Sequence, residues 1–152
     1  MSRTIRGMVW VDVDVTRALR ALRGMPKDAS KELRAASVAI VTREVPKIQA
    51  AGKTSGKQAA AAASSVRARS DRVPAIAVGG SKRVTKGRGK GGRAGQIFFG
   101  SEAGSVDYKQ FPPPSHSRWF WDTLGKDSKS MMREWGHAYD RAVTTWGDRR
   151  GN

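Results

Sequence analysis

The side chains able to carry reaction chemistry are few, and their spacing assigns them to other work. His116 and His137 are the only histidines, and neither stands in a two-ligand spacing of the His-Glu-x-x-His kind. Asp12 and Asp14 stand two residues apart, which on a strand marks a solvent face rather than a carboxylate dyad. Gly-Arg-Gly-Lys-Gly-Gly, residues 87–92, lacks the Gly-x-x-x-x-Gly-Lys-Ser/Thr order that cradles a phosphate. There is no cysteine, hence no thiolate nucleophile and no sulfur-ligated metal, and no Gly-x-Ser-x-Gly elbow. The expectation is a protein that is not an enzyme and has neither cofactor nor small-molecule ligand.

Two stretches carry the binding potential. Lys82, Arg83, Lys86, Arg88, Lys90 and Arg93 fall in a glycine-rich segment that contains no acid. They could contact DNA phosphates without reading sequence, or dock on an acidic neighbour. The second stretch, Gln96–Leu124, contains all four Phe residues, two of the five Trp and three of the six Pro. Its Gly100-Ser101-Glu102 reads as a turn, and Pro112–Pro114 as a short polyproline strut. Together they form a corner that delivers Trp119, Phe120 and Trp121 into a core or a subunit interface.

The elements that position these stretches follow from periodicity. Val9, Val11, Val13 and Val15 alternate with Trp10, Asp12 and Asp14 and predict a half-buried strand. Thr16 can cap a short helix bearing Leu19 and Leu22, which stops at Gly24. Pro26 and Asp28 open a second helix, whose buried face carries Leu33, Ala36, Ile40, Glu44 and Ile48 and which Pro46 should kink or end. A short alanine helix spans 56–63. Residues 64–69 and 73–79 predict a hairpin, with Pro74 at the start or edge of its second strand. Residues 97–99 suit a helical turn or a strand, and 106–110 a strand. Trp121, Leu124, Met131, Trp135, Ala138, Ala142 and Trp146 recur at helical spacing and predict a long C-terminal helix from 118 to 146.

The expected fold class is therefore α+β. It consists of a small antiparallel sheet with an N-terminal strand, two N-terminal helices, a long C-terminal helix and an extended basic loop. One domain over 1–152 accounts for the length, with the loop at 80–95 mobile. Leu, Ile, Val and Phe make up only 26 of 152 residues against a net charge of +16. A core that thin predicts burial completed by neighbouring subunits. The pI of about 11.2 fits an anionic environment, either nucleic acid or acidic protein. The opening residues form no apolar leader, and no run approaches the roughly 18 apolar residues of a membrane span, so the chain reads as soluble, with no membrane partner.

The order of motifs resembles the tail-completion, or tail-to-head joining, family of long-tailed bacteriophages (siphoviruses), whose members are minor tail or neck proteins. The residues that carry the resemblance begin with Leu19, Leu22, Met25, Pro26 and Lys27, then Thr54 and Gly56. Phe99, Gly100 and Ser101 follow, then Phe111, Pro112 and Pro113, and last Trp119 to Leu124. The sequence departs from the family at Phe98, where many members have Glu, and at Asp122 and Thr123, which stand in place of Pro-Ala. The Lys82–Arg93 loop is also longer and more basic than the family pattern.

The resemblance implies a virion structural protein of the head–tail junction, made in the host cytoplasm. It would form a ring of about six subunits between connector or head-completion proteins and a tail terminator or tail tube, around the DNA path. Phe98, Phe99, Gly100, Phe111, Pro112, Pro113, Trp119 and Trp121 are the expected subunit interface. The six loop cations are expected to face DNA or dock on a neighbour. A small sequence-independent nucleic-acid-binding protein is the alternative reading.

Overall fold

Two long antiparallel helices form the frame. The computed structural model describes residues 20, 22–85, 92–114 and 118–148. The expected strand at 8–15, the Thr16 cap and Leu19 lie outside the described residues. Arg20, Leu22 and Arg23 are helical and a turn at Gly24 follows, which agrees with the predicted stop. Four helices and two strands succeed it: α1 (Lys27–Ser55), α2 (Lys57–Ala63), β1 (Arg67–Arg69), β2 (Ala75–Ala77), α3 (Ala94–Ala103) and α4 (Trp119–Asp148). The mixed α+β class holds, with helix predominating and a sheet of two strands among the described residues.

Helix α1 buries Ala29, Leu33, Ser37, Ile40, Val41, Glu44, Ile48 and Gly52; Leu33, Ile40, Glu44 and Ile48 fall on the predicted stripe, whereas Ala36 is only half-buried. The helix does not end at Pro46, which lies inside it. The proline removes the bond to the carbonyl of Thr42, and both residues are exposed, so water can take the place of the missing N–H. The helix stops instead at Gly56, whose φ of 137° suits glycine and lets α2 fold back on α1.

Helix α4 runs antiparallel to α1. Arg43 pairs with Glu134, and Lys47 reaches Asp127 at 2.7 Å while also bonding Glu44 at 3.0 Å. At one end Asp28 and Trp146 line a common shallow cleft, and at the other Gly52 lies against Trp119. The bond to Asp127, and then that to Glu44, raises the Lys47 pKa; the same ammonium lowers that of Asp127. Between the two helices Leu33, Ile40, Val41 and Ile48 meet Leu124, Met131, Trp135 and Ala138 in one apolar cluster. Helices of 29 and 30 residues each extend about 45 Å at 1.5 Å per residue.

The hairpin is antiparallel with Arg67 opposite Ala77 and Arg69 opposite Ala75. It is shorter than the predicted strands because Ser65 and Val66 bond back to α2 through N–H contacts to Ala62 and Ala63. Strand β2 starts directly after Pro74, as a residue lacking an N–H donor dictates. The hairpin is tied into the frame by Gln49 Nε2 to the Val66 carbonyl at 3.0 Å and Trp135 Nε1 to the Arg72 carbonyl at 2.9 Å. Ser65 Oγ, which accepts from the Gly79 N–H at 2.8 Å, ties the far end of the hairpin to its start.

Glycine has opposite meanings in the two long helices. A Cβ on Gly52 would press on the Ala63 methyl and lie 3.1 Å from both the Ala59 carbonyl and the Trp119 ring, whereas at Gly125 and Gly136 it would meet open space. Gly52→Ala is therefore expected to lower unfolding free energy by about 1–3 kcal/mol through overpacking. Gly125→Ala and Gly136→Ala are each expected to raise it by about 0.5–1 kcal/mol. Urea unfolding followed by circular dichroism checks the opposite signs.

Candidate interface at the aromatic corner and the basic segment

The Gly100-Ser101-Glu102 segment is not a turn. It is the last half of α3, which continues to Ala103, and the chain reverses at Gly104 with φ of 78°. Gly100 remains necessary for a different reason, since the Phe111 ring packs where its side chain would be. Residues 106–110, expected as a strand, form a loop closed at its base by the Ser105 N–H to the Pro112 carbonyl at 2.9 Å. Ser105 Oγ accepts from the N–H groups of Asp107 and Tyr108, and the Phe111 N–H donates to the Tyr108 carbonyl at 3.0 Å. These local bonds satisfy the backbone that a strand would have paired with a neighbour.

Behind the loop, Phe98 is the centre of an aromatic cluster. Its ring lies 5.3 Å from Phe120, 5.4 Å from Phe99 and 5.9 Å from Trp119, each edge to face. Ser101 Oγ accepts from Trp119 Nε1 at 3.3 Å and donates to the Phe98 carbonyl at 3.0 Å.

Glu102 holds this corner together. Its two oxygens accept from the Phe120 N–H at 2.9 Å and the Trp121 N–H at 3.0 Å, the second and third positions of α4. Arg118, the residue before the helix, offers no side-chain acceptor, so a carboxylate distant in sequence does the capping. Glu102 is 4% exposed. Burial pushes its carboxyl above the usual carboxylate range, further than the two N–H bonds draw it down; Asp122 adds to the rise and Arg118 opposes it. The role was not readable beforehand, because nothing local links residue 102 to residue 120.

The expected interface residues divide between inside and outside. Phe98 and Trp119 are 2% and 4% exposed and belong to the chain's own core. Gly100, Phe111, Pro112 and Trp121 are half-buried in the corner, and Pro113 is exposed. Phe99 is 46% exposed, and the braced loop adds Val106 at 85% and Tyr108 at 61%, two residues outside the expected set. Their outward placement depends on the loop's internal bonds, which the sequence signals only through Ser105 and the prolines.

The basic segment, expected as a mobile loop from 80 to 95, begins and ends as a paired ladder. The Val84 N–H donates to the Gly92 carbonyl at 3.0 Å, that of Ala94 to Lys82 at 2.9 Å and that of Gly95 to Gly80 at 3.0 Å. Thr85 Oγ1 accepts from the Gly92 N–H at 2.7 Å, and Arg83 bridges Arg93. Lys82, Arg83 and Arg93 are all exposed. Lys86, Arg88 and Lys90 lie outside the described residues. The ladder forms because 94–103 is helical and docks Ile97 and Phe98 in the core, which draws residue 93 alongside residue 83.

His137 is exposed on α4, and His116 lies outside the described residues. Among the described residues no group of three His, Cys, Asp or Glu side chains could hold a metal ion, and no helix is long and apolar enough to cross a membrane. Comparison of the chain with protein-family models, with curated proteins and with solved structures finds no match in any of the three.

Removing the cap tests the corner. Glu102→Ala is expected to cost about 1–3 kcal/mol by leaving two buried donors unpaired. Because the folded carboxyl binds its proton more tightly than the unfolded one, its stabilising contribution is complete below the ordinary value of 4.5 and is lost as pH rises through the raised folded value. The stability of the wild type relative to Glu102→Gln should thus decline with pH across that acidic window and then level off. Urea titrations of both proteins between pH 4 and pH 7 measure it.

Proposed function

We propose that this protein is a structural subunit of the head–tail junction of a long-tailed phage. Copies of it assemble into a ring that joins the connector to the tail tube around the DNA path. The motif order from Leu19 to Leu124 supports this reading at the level of family. The observation that carries it further is the braced loop. Residues 104–112 use their own backbone bonds to hold Val106 and Tyr108 in solvent, while Phe98, Trp119 and Phe120 are buried.

A loop ordered by internal bonds loses little further entropy when it docks, so most of the apolar area it buries contributes to association. Val106 and Tyr108 act as anchors on a neighbouring subunit or neck protein, with the polar residues around them as rim. The work of such a protein is assembly, without turnover. The charge of +16 suits a position next to packaged DNA or acidic neck proteins.

In the phage genome that encodes this chain, deleting its reading frame should yield separate DNA-filled heads and finished tails in electron micrographs. The double substitution Val106→Ser and Tyr108→Ser should give the same particles while the purified variant keeps its circular dichroism spectrum and melts within a few degrees of the wild type. Normally joined particles from either genome would refute the proposal.

A further inference from the structure

The pairing of residues 82–84 with 92–94 places two arginines where they repel. Bonds join 82 to 94 and 84 to 92, so Arg83 and Arg93 occupy the non-hydrogen-bonded site between them. At such sites the Cα atoms come within about 4.5 Å and both side chains project from the same face. Like charges directly opposite each other destabilise a ladder. Both arginines are exposed, and neither forms an ion pair among the described residues. Arg93 also immediately precedes the first turn of α3, where the helix dipole disfavours a cation. One neutral residue at either position would relieve the conflict, and so would an anion held between the two guanidinium groups.

We propose that Arg83 and Arg93 form a clamp that grips the phosphodiester backbone of double-stranded DNA. Two guanidinium forks side by side can both donate to phosphate oxygens, and a phosphate between them turns their repulsion into a bridge. Between Gly80 and Gly95 the sequence holds six cations, four glycines, Ser81, Val84, Thr85 and Ala94, with no acid and no aromatic side chain. That composition lacks the apolar anchors of a protein–protein interface. It suits a surface that neutralises phosphates without reading bases. The neck reading above is used here only in naming duplex DNA as the natural polyanion; the clamp and its test concern the isolated chain, whereas the assembly reading is tested in particles.

Fluorescence anisotropy of the full-length protein with labelled 30-base-pair duplexes of two unrelated sequences, at 50 to 200 mM KCl, provides the test. The wild type should bind both duplexes equally. Arg83→Ala with Arg93→Ala should flatten the slope of log affinity against log salt by about 2. Over that fourfold salt range the wild type then loses about 10-fold more affinity than the variant. Arg83→Lys with Arg93→Lys should keep most of the slope. So should Lys126→Ala with Lys129→Ala, which removes the same charge from the outer face of α4. The alanine pair should melt no lower than the wild type, since it removes a repulsion. An unchanged slope in the alanine pair, an equal loss in the α4 variant, or tighter binding to polyglutamate than to duplex would overturn the clamp; the last would mark an acidic protein as the partner.

Discussion

The first turn of α4 sets a constraint that the rest of the molecule must satisfy. Trp119, Phe120 and Trp121 bring large apolar surfaces to the end of the α1–α4 seam, but the N–H groups of that turn come with them and cannot all face water. Glu102 answers this by placing both carboxylate oxygens on the second and third of these donors. The carboxylate is stabilised by those bonds and destabilised by burial, and burial is the larger effect on its proton affinity. Without an acceptor at that point the aromatic rings could pack only by orphaning backbone donors, so the cap lowers the cost of forming the core.

Small residues let the remaining elements close around that corner. Gly52 and the alanines of α2 allow α1, α2 and Trp119 to meet almost backbone to backbone. This explains how a chain with few Leu, Ile, Val and Phe residues still forms a continuous cluster from Leu22 to Ala138. The cluster substitutes close approach of thin side chains for volume of large ones, and dispersion contacts depend on distance as much as on size. Charged side chains close the rim of the seam, with Lys47 shared between Glu44 and Asp127. At exposed sites such pairs fix register more than they add stability.

What the core does not absorb is turned outward by two hairpin-like closures, one on either side of α3. On the N-terminal side, a short ladder sets Arg83 against Arg93. On the C-terminal side, the Ser105–Pro112 closure carries Val106 and Tyr108. Each arrangement disfavours the isolated chain, through like charge in one case and exposed apolar surface in the other. Each is held by backbone bonds rather than by the side chains it displays. Local conflicts kept in place by well-satisfied surroundings are expected where a molecule meets its partners.

Periodicity alone determined the two long helices and their buried faces, since a stripe repeating every three or four residues can be hidden only on a helix. It also determined the hairpin with Pro74 at its start, because proline has no donor for a ladder. Pro46 left open whether the helix bends or ends, because the cost of a proline depends on whether the orphaned carbonyl faces water, and only the packing of α1 decides that it does not end. Gly100-Ser101-Glu102 misled because glycine marks a close approach as readily as a turn, and the approaching ring, Phe111, is brought there by the tertiary fold. The cap at Glu102, the opposition of Arg83 to Arg93 and the outward Val106 and Tyr108 all join residues through space or through loop closure. Such relations leave no local pattern in a sequence, and they come into being only when the chain has folded.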